Sequence, residues 1–187
     1  MKKALFSGKP GAAFLALVLL FGLVAGATGQ DAREEAKKLQ RPKDCGISDY
    51  DAFKNASFNL LGEVKKSDIN YDKIKTDIAG YLEGDKQATV DGVKSDINRL
   101  KSLNKSMQVM DDRVKKLTQE GNDLLQNAKN VKPVTKVKAA TSNTKTSIKA
   151  VDVSKDLMKE MGGTIEEDIT KLKDKVTALG GSVEEEE

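Results

Sequence analysis

The chain has 187 residues, 32 Lys+Arg against 29 Asp+Glu, no histidine, no tryptophan and one cysteine. Without imidazole, the serine and cysteine triads that rely on it are excluded, as are histidine-ligated zinc sites and the Glu-x-x-His pairs of di-iron bundles. One cysteine can neither build a four-thiolate metal site nor close an intrachain disulfide.

The N-terminus carries Lys2, Lys3 and Lys9 and no acid before Asp31. An apolar run from Ala12 to Ala27 follows and ends in Ala25-Gly26-Ala27. A basic start, an apolar run shorter than the ~20 residues a spanning helix needs, and a small-residue exit are the parts of a secretory signal. We expect a signal peptide over residues 1–27, with Gly29 as the alternative end, and export to the periplasm or the medium of a bacterial host. Membrane contact is expected only if the signal stays uncleaved. Residues 1–29 hold three of the bases and none of the acids, so 29 of each sign remain and the rest of the chain is formally neutral. Net charge therefore gives no reason to expect nucleic-acid binding.

Residues 28–47 are polar, charged and interrupted by Pro42, and read as a linker or disordered arm. Cys45 falls within it, about eighteen residues past the apolar run, too far for a lipid anchor. As the lone cysteine in an oxidising compartment it is a candidate for an intermolecular disulfide.

Residues 48–181 read as a single helical domain. Ser48 is placed to cap a first helix over about 49–66, with Asp51 three residues on in the capping-box position. Tyr50, Phe53, Ser57, Leu60 and Val64 mark its stripe, and Phe58 and Leu61 widen it. Asn70 is placed to cap a second, shorter helix with Tyr71, Ile74, Ile78 and Tyr81, closed by Gly84. The five aromatics Tyr50, Phe53, Phe58, Tyr71 and Tyr81 all lie in this window. They are either core or the lining of a small-molecule pocket.

The longest expected helix runs from about 86 to 131. Val93, Leu100, Met107, Val114, Gly121 and Ala128 are spaced by seven, and Leu103, Met110, Leu117, Leu124 and Val131 repeat the interval three residues out of phase. This is coiled-coil-like heptad spacing, and it implies a helix of roughly 70 Å. Leu100, Leu103, Met107, Met110, Val114, Leu117 and Leu124 form a candidate interaction seam. The other helices can cover part of it, which leaves a bundle, an extended hairpin or a dimer through the distal half.

Pro133 ends that helix, and residues 132–147 read as a loop or a weak helix start. Apolar spacing returns at Ile148, Val151, Met158 and Met161 and is expected to break at Gly162-Gly163. Thr164-Ile165-Glu166-Glu167 reads as a capping box opening a last helix, which Gly180-Gly181 closes. Residues 182–187 are an acidic tail.

Several weaker signals remain. Lys129, Lys132, Lys136, Lys138, Lys145 and Lys149 form a stretch without acids, a candidate patch for an anionic partner or simply a solvated connector. No aromatic interleaves it, so base stacking has no platform. Asp111 and Asp112 are more simply partners of Lys115 and Lys116 than cation ligands. The pentapeptide Lys66-Ser67-Asp68-Ile69-Asn70 recurs at Lys94-Ser95-Asp96-Ile97-Asn98, which in so polar a chain reads as coincidence. The sequons at Asn55 and Asn104 fall on expected helices and are discounted.

The expected fold is all-α, a helical bundle or elongated helical hairpin around one long helix. No enzyme activity and no cofactor are expected. The function expected is that of an exported envelope scaffold, adaptor or assembly factor working through helix–helix contacts with a protein partner or a second copy. The alternative is a periplasmic carrier or sensor with an aromatic pocket near residues 50–81.

Overall fold

The computed structural model describes residues 28–84 and 87–183. The expected signal segment and the last four acidic residues lie outside them. The described residues form an all-α bundle: α1 (Thr28–Lys38), α2 (Ser48–Glu83), α3 (Val90–Asn127) and α4 (Val137–Ala178), with two short 3-10 turns between α3 and α4.

Three long helices alternate in direction and share one core. Phe53, Leu60, Val64 and Ile74 of α2, Val93, Ile97 and Leu100 of α3, and Leu157, Ile165, Leu172 and Val176 of α4 are fully or almost fully buried in it. α1 runs antiparallel to α2 and α4, on the side away from α3. Arg33 meets Asp68 at 2.5 Å and Asp72 at 3.0 Å, while Glu35 meets Lys149 at 3.0 Å.

Four expectations about the helices change. First, residues 28–38 of the expected arm are helical, and Ala32 and Ala36 are buried against the core. Residues 39–47 are then stitched to the bundle: Asn143 Nδ2 donates to the Lys43 carbonyl at 2.7 Å and Lys136 Nζ to the Gly46 carbonyl at 2.8 Å. Gly46 is required there. Its φ is +74°, and a Cβ would sit 2.6 Å from Lys136 Nζ.

Second, α2 is continuous where two helices were expected. The buried positions step from Val64 to Tyr71, a full heptad, and Asp68 between them is satisfied by Arg33 of α1. Its start also differs. Ser48 makes no cap bond, and instead both oxygens of Asp51 reach back to accept from the Cys45 and Gly46 N–H groups at 2.8 Å each.

Third, α3 begins at Val90, where the Thr89 hydroxyl accepts from Gly92 N, and gives way to a 3-10 turn after Asn127. It is not the longest helix.

Fourth, that place belongs to α4, 42 residues and roughly 63 Å at 1.5 Å per residue. It starts inside the stretch expected to be a loop and passes through Gly162-Gly163 unbroken. A Cβ at either glycine would meet nothing within 4 Å, so neither marks a close approach. Met161 and Ile165 carry the buried stripe past them at a spacing of four. Thr164 does not cap; its hydroxyl bonds back to the Glu160 and Met161 carbonyls. The expected glycine stop is where the chain places it. Gly180 has φ +78° and donates to the Thr177 carbonyl, and Gly181 donates to the Val176 carbonyl, the two bonds of a Schellman end.

Candidate functional site

The heptad seam is the core of the molecule. Leu100, Leu103, Met107, Met110, Val114 and Leu117 are all buried by α2 and α4, and Leu124 is half-buried between the main core and a smaller one. The chain's own helices therefore cover this part of the candidate interaction seam. Gly121, on the same seam, shows how closely. A Cβ there would lie 2.7 Å from both Ile148 Cγ1 and Phe53 Cζ.

The aromatic window is core as well. Tyr50, Phe53, Phe58, Tyr71 and Tyr81 are all buried, and none of them lines the three grooves described below. They pack as core and do not line those grooves. Two of the phenols anchor the packing: Tyr50 donates to the Leu124 carbonyl at 2.9 Å and Tyr71 to Asp168 Oδ2 at 2.7 Å. Burial, with Asp168 beside it, pushes the Tyr71 hydroxyl far above the ordinary range, so it remains a donor.

Cys45, the candidate for an intermolecular disulfide, is enclosed. It is buried in the smaller core with Tyr50, Ala128, Val131 and Ala140. Burial pushes its thiol up, with Asp51 adding to the effect, so the reactive thiolate is disfavoured. A disulfide to another chain would require this corner to open.

The lysine stretch is divided. Lys129, Lys132, Lys138 and Lys145 are exposed, but Lys136 is bonded to Gly46 and Lys149 to Glu35. Two of the six thus hold the N-terminal segment in place. Asp111 and Asp112 pair with Lys115 at 2.7 and 3.2 Å. Among the described residues no group of three or more Cys, Asp or Glu is placed to hold a metal ion.

What remains open to a ligand is a set of grooves between helices. The first, about 700 Å³, lies between α2 and α3. Ser67, Asn70, Ser95, Asn98, Ser102 and Ser106 supply short hydroxyls and amides, with Leu103 beneath. Asp91, Lys94 and Arg99 add charge of both signs, and Arg99 is already bound to Asp96 at 2.6 Å. On α3 the lining runs from Asp91 to Ser106, roughly 22 Å along the helix.

Both copies of the repeated pentapeptide contribute to this groove, but they are not equivalent. Ile69 is 56% exposed, whereas Ile97 is 1% exposed in the core. The groove was not legible in the sequence, because its residues come from helices that meet only in the fold. The one available signal was the serine and asparagine spacing on the polar side of α3.

A second groove, about 530 Å³, lies between α3 and α4 and is floored by Met107 and Met158. A third, about 330 Å³, lies beside α1 and is lined by Arg33, Lys65, Asp68 and Leu157 among others. No helix among the described residues is long and apolar enough to cross a membrane. Comparison of the chain with protein-family models, with curated proteins and with solved structures finds no match.

Proposed function

We propose that this is an exported, non-catalytic helical protein of the cell envelope, a scaffold, adaptor or assembly factor that receives a helix of a protein partner between α2 and α3. The observation that carries this reading is the α2–α3 groove. A groove whose α3 wall runs about 22 Å, with Ser67 and Asn70 of α2 on the other side and mostly short side chains along it, offers a surface for a third helix. Small side chains allow the two backbones to approach closely, and hydroxyls and amides can bond to a polar helix face. The molecule packs a short helix on its own surface elsewhere: α1 lies against α4, with alanines inward and charged groups reaching α2 and α4 at the rim. The groove offers no aromatic surface for a sugar or base, and its two bases, Lys94 and Arg99, are set against Asp91, too slight an excess to hold a polyanion. The leader-like N-terminus motivates the export part of the reading.

Site-specific photocrosslinking in the producing cells tests it. A photoreactive residue at Ser102 should give one protein adduct of defined size, and the same residue at exposed Glu166 should not. Adding Ser95→Arg should abolish the adduct without lowering thermal stability, since Ser95 is exposed. Equal labelling from both positions, or none from Ser102, would overturn the proposal. Export is checked separately, by the mass of the N-terminal peptide of the recovered protein.

A further inference from the structure

All four methionines beyond residue 1 fall in one layer of the bundle. The α3–α4 groove runs from Asn104 to Lys115 on one wall and from Lys155 to Gly162 on the other, with Met107 and Met158 facing it from opposite helices. Met110 and Met161 lie three residues further along their own helices and are buried in the core. Because α3 and α4 run antiparallel, those two steps go in opposite directions. The four thioethers therefore occupy a layer about one turn thick, ~5 Å. Two of them form the floor of a groove open to solvent, and two lie behind it.

We propose that this Met107, Met110, Met158, Met161 layer binds a soft monovalent cation of the Cu(I) or Ag(I) class. Thioethers are soft, neutral donors that select Cu(I) over hard and borderline divalent ions. The surroundings favour single charge too. The rim carries Asp111 and Asp112 against Lys115, Lys155 and Lys159, so no anionic excess is present to compensate a divalent ion. Methionine side chains have three rotatable bonds, and the layer can adjust around an ion without moving the helices. Gly162 at the rim, where a Cβ would meet nothing within 4 Å, keeps the approach open. Elsewhere among the described residues the soft donor is Cys45, buried in the other core.

The test is a titration of the purified protein with Ag(I), and with Cu(I) under reducing, anaerobic conditions against a chromogenic chelator. Methionine methyl resonances are followed in parallel. About one equivalent should bind, shifting the methyl signals of all four residues, and Zn(II) should produce no shift. The double variant Met107→Leu/Met158→Leu should lose at least about tenfold in affinity while its helical circular dichroism is retained. Cys45→Ala should bind as the parent does. Absence of binding by the parent overturns the proposal, as does loss of binding in Cys45→Ala with retention in the methionine variant. Should the double variant misfold, the single Met158→Leu, in the groove floor, gives the same decision.

Discussion

The α3–α4 face and the α1 face of the same bundle are held by different physics. Along α3–α4, large aliphatic side chains interlock over many turns, and Leu100, Ile165 and Leu172 are fully buried. α1 buries Ala32 and Ala36 and is otherwise fixed by charged contacts at its rim: Arg33 with Asp68 and Asp72, Glu35 with Lys149, and Lys65 with the Ala36 carbonyl at 3.3 Å. Two alanine methyls contribute on the order of 1–2 kcal/mol, and each exposed ion pair roughly 0–1 kcal/mol. An eleven-residue helix is marginal by itself, so α1 is the element that opens most easily. Stability in this fold is concentrated in the three long helices, and α1 is a weakly held addition.

Three perturbations sharpen that contrast. The largest effect is expected for Leu172→Ala, which empties a fully buried site on α4. A loss of about 2–5 kcal/mol should appear as a lower midpoint in denaturant with the cooperative transition preserved. A loss under about 1 kcal/mol would show that the interlocked face is not where stability resides.

An intermediate effect is expected at the junction between the two regions. Burial alone would raise the Asp51 carboxyl, but the Cys45 and Gly46 N–H groups donate to it and Lys54 lies nearby, and together these hold it below its ordinary value of 3.8. A carboxyl depressed in the folded state stabilises above its unfolded value, and that contribution disappears as pH falls through the folded value. Asp51→Ala should therefore cost about 1 kcal/mol at neutral pH, and its difference from the parent should shrink below about pH 4. A difference that is constant with pH would mean that the ionised carboxylate is not what closes this turn.

The smallest effect belongs to α1. Lys149→Ala removes a bridge between half-exposed groups and should change global stability by less than about 1 kcal/mol. Amide exchange over residues 32–38 should nevertheless quicken, and raising the salt should quicken it in the parent protein as well. Unchanged exchange in that segment would place the hold on α1 with its alanines rather than its charges.

The same division decides how much of the molecule the sequence revealed. The 3-4 spacing from Val93 to Leu117 predicted a long apolar seam, because large apolar residues at heptad intervals leave a strong periodic trace. α1 left none. Alanine is scarcely hydrophobic by any scale, and the partners of Arg33 lie 35 and 39 residues away, beyond any local spacing rule. The early part of α4 was hidden for a related reason. Its inward positions include Asn143, Thr144, Ser147 and Ser154, which look polar in the sequence, yet Thr144, Ser147 and Ser154 satisfy their hydroxyls on carbonyls four residues back. The breaks expected at Asn70 and at Gly162-Gly163 rested on local propensity, which costs only about 1 kcal/mol per glycine and yields to packing on either side.

By itself the sequence determined the helical class, the seam, the glycine end of α4 and the exclusion of imidazole chemistry. Each of these depends on residue type and short-range spacing alone. Only the tertiary structure decided that the seam faces inward, that the aromatics are core, that Cys45 is enclosed and that grooves remain open between the helices. Those depend on which helix covers which face. The contacts that settle it join residues up to 114 positions apart, whose pairing no local pattern encodes.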